Sequence, residues 1–81
     1  MIDVKEAASV AHDYLKGLSK DVEFPGLEIE EVELSDDEKF WFITLGYYDD
    51  VVRRTRKYKI FKLRTQDGQV LSMKMKTQKE L

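Results

Sequence analysis

The chain has 81 residues, of which 42% are hydrophobic, 11% aromatic and 37% charged, and its net charge is −2. The hydrophobic content excludes a disordered chain, and the length allows one small domain with a core worth only about 3–5 kcal/mol of net stability. The absence of cysteine excludes disulfides, thiolate metal sites and a cysteine nucleophile. We therefore predict a single domain over residues 1–81.

The small net charge conceals two oppositely charged halves. Residues 1–50 contain fourteen acidic and four basic side chains, whereas residues 51–81 contain ten basic and two acidic ones. Such asymmetry predicts either a charged partner or two halves that neutralise each other.

The first predicted element is a helix over residues 3–19. Asp3 and Glu6 have the spacing of a capping box, and Ile2 is placed to pack on Ala7 as a hydrophobic staple. An apolar stripe then follows at helical spacing and is widened by Ala7 and Tyr14. Its members are Val4, Ala8, Ala11, Leu15 and Leu18. Pro25 and Gly26 prevent the helix from continuing.

Beyond Pro25 the apolar residues recur with a period of two, which predicts four strands over residues 27–34, 39–48, 56–64 and 69–76. The alternation in the first strand slips at Glu30-Glu31, so we expect a β-bulge there. The second strand is apolar on both faces and is therefore predicted to be central. Asp49-Asp50 begins a polar connection.

The last hairpin has two possible registers. A two-residue loop sets Phe61 opposite Lys74, whereas a three-residue loop over 66–68, with Gly68 left-handed, sets Phe61 opposite Met73 and Leu63 opposite Leu71. The second register builds an apolar face, so we favour it. It also places Ile43 beside Phe61, Trp41 beside Leu63, and Tyr58 over Gly46. The predicted sheet core is Trp41, Ile43, Leu45, Phe61, Leu63, Leu71 and Met73.

These elements predict an α+β fold in which one N-terminal helix packs on a four-stranded antiparallel meander sheet. Segments 41–46 (WFITLG), 58–63 (YKIFKL) and 67–71 (DGQVL) resemble the PepSY-like small bacterial domains, which share a cystatin-like layout. The resemblance covers the C-terminal two-thirds of the chain. It implies a non-catalytic module that binds or restrains proteases, or that senses envelope components. The chain departs from that family in having no export signal at its N-terminus, and we expect a cytoplasmic protein without a membrane partner.

Catalytic chemistry has little support in the sequence. The only histidine, His12, lies at the border of the apolar stripe, and the residues around it do not make up a recognisable catalytic site. The acidic turns at 36–38 and 49–50 lie at opposite ends of the central strand, about 30 Å apart, so they cannot share a metal ion. We expect no enzyme activity, no metal and no cofactor.

The best candidate site is basic and aromatic. It comprises Arg53, Arg54, Arg56, Lys57, Tyr48, Tyr58 and Lys62. Tyr and Arg are frequent anchors of protein interfaces, so we predict a protein partner that is bound by the outer sheet face and the 49–57 hairpin. Three alternatives stay open. In the first, the same surface binds single-stranded nucleic acid. In the second, the acidic first strand inhibits a basic active site, as immunity proteins and antitoxins do. In the third, the charges neutralise one another within the fold and bind no partner. We expect a monomer or a weak homodimer.

Overall fold

The computed structural model describes residues 1–18 and 21–76. One helix, α1 (Val4–Leu18), precedes four strands, β1 (Glu28–Leu34), β2 (Phe40–Asp50), β3 (Thr55–Arg64) and β4 (Val70–Lys76). The strands form one antiparallel sheet in the order β1-β2-β3-β4. The α+β fold with a meander sheet is thereby confirmed. Position 19, the last of the predicted helix, lies outside the described residues.

The start of α1 follows the predicted cap. The Asp3 carboxylate accepts a hydrogen bond from the Glu6 N–H at 2.8 Å, which satisfies one of the free donors of the first turn. Ile2, just before the cap, is buried in the same cluster as Ala7. The N–H of Ile2 also donates to the Thr65 carbonyl at 2.7 Å, so the chain before α1 is fixed to the end of β3.

Most of the predicted register is confirmed. Ile43 faces Phe61, Trp41 faces Leu63, Gly46 faces Tyr58, and Phe61 faces Met73. The register of β1 shifts between Ile29 and Glu31, as the slipped alternation predicted. Gly68 has a φ of 77°, the left-handed conformation expected of it.

The predicted pair of Leu63 with Leu71 is wrong. A register shift after Lys62 sets Leu63 opposite Val70, which takes the place in the core that the sequence assigned to Leu71. Leu71 is 43% exposed. A bulge admits one extra residue into an antiparallel strand, so no count of loop residues could have located it.

The core lies between α1 and the face of the sheet that we call the inner face. Ile43, Leu45, Phe61 and Leu63 of that face are fully buried, and Ala7, Ala11 and Leu15 of α1 pack on them. Trp41 and Met73 are partly buried against this cluster, and the Trp41 indole N–H donates to the Ile2 carbonyl at 3.1 Å.

Two residues of the predicted helix stripe are not core residues, because Val4 is 41% and Leu18 54% exposed. They lie on the correct side of α1 but in its first and last turns, where the cluster around Ala7 and Ala11 no longer covers them.

The opposite side of the sheet, the outer face, carries Phe40, Phe42, Thr44, Gly46 and Tyr48 of β2, and α1 packs on the inner face only. Within the described residues there is no helix with the length and apolar character that crossing a membrane requires.

Candidate functional site

The two longest strands extend beyond the rest of the sheet. The last pair between β1 and β2 is Glu28 with Gly46, and the last pair between β3 and β4 is Tyr58 with Lys76. Within the described part of the chain, residues 47–57 therefore form a two-stranded ribbon, which we call the arm. The predicted 49–57 hairpin lies within it.

The connection at the end of the arm is shorter than predicted. β2 continues to Asp50, and β3 begins at Thr55, so only Val51–Arg54 form the turn. The Asp50 carboxylate accepts a hydrogen bond from the Arg53 N–H at 3.2 Å, and the Arg54 N–H donates to the Val51 carbonyl at 3.3 Å. The strands stay paired as far as Asp50 with Thr55, and Asp49 is the extra residue at the register shift between Tyr48 and Asp50.

The four turn residues, Val51–Arg54, form what we call the arm tip. Val52 is 93% exposed and Val51 59%. The side chain of Arg53 is 83% exposed, and its nearest carboxylate, that of Asp50, is 3.8 Å away. Arg54 has a φ of 56°, in the left-handed region that favours glycine or asparagine. The arm tip thus presents two apolar and two cationic side chains to solvent.

Arg56 differs from the other arginines of the predicted site. It lies on the outer face, and only 16% of its side chain is exposed. Its guanidinium is 2.8 Å from the Glu30 carboxylate and 3.4 Å from that of Glu28, and it also donates to the Gly26 carbonyl at 3.3 Å. It lies 4.7 Å from the centre of the Tyr48 ring. Arg56 therefore ties β3 to β1 across the intervening strand at the base of the arm.

The electrostatics of Arg56 agree with this bracing role. Burial alone would disfavour its charge, but the hydrogen bond to Glu30 and the charges of Glu30 and Glu28 hold the pKa of Arg56 above its usual value. Its Nε is buried and has no hydrogen-bond partner among the described residues. Gly46 leaves room for this arrangement, since a Cβ at that position would lie 2.7 Å from both the guanidinium and the Glu30 carboxylate. Tyr58 is the β3 partner of Gly46, as predicted, and Arg56 and Glu30 supply the atoms nearest to the space above Gly46.

A second brace holds β2 at the base of the arm. The Tyr48 N–H donates to the Pro25 carbonyl at 2.8 Å, which continues the ladder beyond β1. On the inner face, Phe24 packs edge-on against Tyr47 with ring centres 5.0 Å apart. Burial, with the nearby charge of Asp49, raises the pKa of Tyr47. The turn around Pro25 and Gly26 therefore supports the arm from one side.

The structure separates the seven predicted site residues into four places. Arg53 and Arg54 lie at the arm tip, and Arg56 stacks on Tyr48 at the base of the arm. Lys57 lies on the inner-face side, 3.8 Å from the carboxylate of Asp49.

Tyr58 and Lys62 complete the set on the outer face of β3. Lys62 stacks on the Phe40 ring, with its ammonium 4.2 Å from the ring centre. Six residues of strand separate Lys62 from Arg56, a distance of about 20 Å. One ligand of small size cannot contact all seven residues.

The outer face has a shallow depression of about 270 Å³ near β4. Its walls are Phe42, Ile60, Lys62, Ser72 and Lys74.

Arg64, the last residue of β3, binds the Asp67 carboxylate, and this hydrogen bond lowers the pKa of Asp67 to about 2. Two of the outer-face cations, Arg56 and Arg64, are thus already paired with carboxylates of the same chain.

Among the residues that the structure describes, the remaining titratable groups form no recognisable catalytic arrangement. His12 is half-buried and lies 3.4 Å from the Asp13 carboxylate, and Ser35 donates to Asp37 at 2.7 Å within a turn. That hydrogen bond, together with one from the Lys39 N–H, lowers the pKa of Asp37. In the described ranges, no group of three or more His, Cys, Asp or Glu side chains is placed to hold a metal ion.

Comparison with known protein families, with characterised proteins and with solved structures finds no match to this chain. The PepSY-like resemblance therefore stays a prediction.

Sequence reasoning missed Val51 and Val52, the most exposed apolar pair of the arm. Glycine, asparagine, aspartate and proline dominate turns because each satisfies a particular backbone need. The signal available in the sequence was a turn that contains two β-branched apolar residues and no glycine, asparagine, aspartate or proline. The charge of the neighbouring arginines was given more weight than these two valines.

Proposed function

We propose that this chain is a non-enzymatic protein-binding module that recognises its partner with the arm tip. The observation that carries the proposal is the exposure of Val52, at 93%, beside the exposed Val51 and Arg53. Val52 lies at the end of the sheet opposite to the place where Ile2 packs into the core, so it does not contribute to the core. Valine is also uncommon in turns, so the turn itself does not explain its presence.

The backbone of the arm tip supports the same proposal. Arg54 adopts a left-handed conformation that costs a residue with a Cβ about 1–2 kcal/mol, and glycine would avoid this cost. A core of this size supplies only about 3–5 kcal/mol of net stability, so the cost of the Arg54 conformation is a large fraction of it. Glu38, in the turn before β2, has a φ of 60° as well, and we infer a binding role for Arg54 alone because its turn also exposes Val51 and Val52.

The chemistry of the arm tip defines the partner surface. Two valines require an apolar recess, and Arg53 and Arg54 require carboxylates at the border of that recess. Burial of one valine contributes about 1.5–3 kcal/mol, which corresponds to about a 10- to 100-fold change in affinity. The bracing of the arm by Arg56 and Tyr48 reduces the entropy that is lost on binding.

The test has two stages. A photo-crosslinking amino acid at position 52 captures the partner in cells, and the same amino acid at Val22, which is 56% exposed but lies outside the arm, serves as the control. The purified partner is then titrated with Val52→Asp and with Arg53→Glu. We expect at least a tenfold loss of affinity for each variant and unchanged affinity for Val22→Asp. Equal affinities for all of them would refute the proposal.

Single-stranded nucleic acid is the second candidate, and the depression between Phe42, Lys62 and Lys74 is the feature that favours it. It has less support, because Arg56 and Arg64 bind carboxylates of the same chain and are not available to phosphates. Nucleic-acid affinity falls steeply with salt. An oligonucleotide titration at low salt that gives no signal removes this candidate. The inhibitor alternative relied on the acidic β1, where Glu28 and Glu30 are occupied by Arg56.

A further inference from the structure

The strand β4 (Val70–Lys76) forms an open edge of the sheet in the described part of the chain. It pairs with β3 on one side and is the last strand in the order β1-β2-β3-β4. An edge strand presents a row of unpaired backbone N–H and C=O groups, which is a template for another strand. α1 packs mainly on β1, β2 and β3, so it leaves room for a further strand beside β4.

The inner-face side chains of β4 are apolar and incompletely covered. Met73 is partly buried against the core, whereas Met75 is 50% and Leu71 43% exposed. The Met75 sulfur lies 3.1 Å from the Lys59 ammonium of the same chain. Alternation along the strand places Leu71 on the same side as the two methionines, and the register shift after Lys62 makes it the extra residue of β4. These three apolar side chains therefore form a row at the open edge.

The sequence of β4 is self-complementary about Met73. Antiparallel pairing of two copies with Met73 opposite Met73 sets Leu71 opposite Met75 on the inner-face side, and this happens twice. The same register sets Ser72 opposite Lys74 on the outer-face side. Each exposed apolar side chain then has an apolar cross-strand neighbour, and each ammonium has a hydroxyl acceptor opposite it. The edge therefore matches a second copy of itself at this register.

The two neighbouring registers match less well. A register centred on Lys74 sets the two lysines directly opposite each other, and like charges in that position are destabilising. A register centred on Ser72 sets the exposed Lys74 opposite Val70, which packs against the core on the inner face. Charge and side-chain direction thus select the register centred on Met73.

We propose that two copies of the chain form a two-fold dimer through β4, with Met73 on the two-fold axis. The two four-stranded sheets then become one continuous sheet with both helices on the same side. Both copies use the same surface, so the interface closes as a dimer. The two-fold axis reverses the strand direction, so the arm tips point to opposite ends and both stay exposed. The dimer thus goes beyond the proposed function and does not depend on it. Its small area makes it weak.

Substitution of Ser72 tests the proposal, because Lys74 of the second copy lies opposite it. Sedimentation equilibrium of the wild type, at concentrations up to about 1 mM, is expected to show a monomer–dimer equilibrium. Ser72→Glu creates an acid–base pair twice in each dimer, whereas Ser72→Lys sets lysine opposite lysine twice. We expect Ser72→Glu to dimerise at least about tenfold more tightly than Ser72→Lys, with the wild type between them. The double variant Ser72→Lys/Lys74→Glu is expected to dimerise more tightly than Ser72→Lys, because opposite charges face each other again.

Controls separate the contact from net charge and from stability. Ser9 is exposed on α1, so Ser9→Glu and Ser9→Lys make the same changes of net charge away from β4 and are expected to dimerise equally. Circular dichroism checks that each variant is folded, since Ser72 also faces Lys62 of its own chain. Should Ser72→Lys unfold, Leu71→Lys replaces it, and it is expected to weaken the dimer at least about tenfold.

The register is checked by NMR on a mixture of copies labelled with ¹³C-methyl methionine and unlabelled copies. We expect intermolecular contacts between the Met75 methyl group and Leu71 of the other copy. A wild type that stays monomeric at about 1 mM, equal dimerisation of Ser72→Glu and Ser72→Lys, or a dimer without these methyl contacts would overturn the proposal.

Discussion

Arg56 is the residue for which the structure and the sequence pattern lead to the most different expectations. The sequence places it in a run with Arg53 and Arg54 as one basic site, whereas the structure surrounds it with Glu30, Glu28 and the Gly26 carbonyl. Arg56→Ala therefore removes a brace between β3 and β1. Arg53→Ala is a matched control, because its side chain is 83% exposed.

The magnitude follows from the contacts that are lost. A hydrogen bond between charged groups contributes about 1.5–3 kcal/mol, and a cation–π contact such as that with Tyr48 adds about 0.5–1 kcal/mol. Release of the side chain returns up to about 2 kcal/mol of entropy. We expect Arg56→Ala to lower the free energy of unfolding by about 2 kcal/mol, whereas Arg53→Ala changes it by less than about 0.5 kcal/mol.

Urea unfolding followed by circular dichroism measures both values. A loss of 2 kcal/mol corresponds to a fall in the melting temperature of about 8–16 °C in a domain of this size. A double-mutant cycle of Arg56→Met with Glu30→Gln isolates the pair, and we expect a coupling of about 1 kcal/mol. Equal stabilities of Arg56→Ala and Arg53→Ala would refute the bracing role.

Three further predictions concern stability, and urea unfolding checks each of them. Thr44→Val is expected to stabilise the protein by about 1 kcal/mol, because the Thr44 hydroxyl is buried on the outer face without a hydrogen-bond partner among the described residues. A Thr44→Val variant that is less stable than the wild type would contradict this prediction. Gly17→Ala is expected to stabilise α1 by about 0.5–1 kcal/mol, since nothing lies within 4 Å of the new Cβ. Gly26→Ala is expected to lower the free energy of unfolding by at least about 1 kcal/mol, because Gly26 has a φ of 67° and the new Cβ would lie 2.6 Å from the Tyr48 ring. A Gly26→Ala variant that is more stable than Gly17→Ala would show that the turn at Gly26 is unimportant. The pKa of Asp67 is lowered from 3.8 to about 2, so its carboxylate stabilises the fold above about pH 4, and this contribution is lost as the pH falls from about 4 to about 2. We therefore expect Asp67→Asn to lose less stability than the wild type between about pH 4 and about pH 2. An equal loss in the two proteins would exclude the contact between Asp67 and Arg64 as the source of the pH dependence.

The fold followed from the sequence because local signals agreed with one another. The cap at Asp3, the change of period after Pro25 and the slip at Glu30 each had one structural interpretation, and each was correct. The displacement of Leu71 did not follow, because Val70 and Leu71 are adjacent apolar residues, and the residue types do not show which of the two lies opposite Leu63.

The candidate site was predicted less well, because charge along a chain does not reveal which charges are paired in space. Arg53 and Arg56 are three residues apart and chemically identical, yet one is almost fully exposed and the other is enclosed by carboxylates that lie 26 to 28 positions earlier. Pairing at that separation is a consequence of the β1–β2–β3 register and of the small Gly46 between the partners.

The claim that the arm tip is the recognition surface is tested most directly by a titration of the ¹⁵N-labelled protein with its purified partner, observed by NMR. We expect the amide signals of residues 50–55 to shift or broaden first, while those of α1 and of Glu31–Leu34 stay in place. Signals that change on α1 or on the outer face, with an unperturbed arm tip, would contradict it.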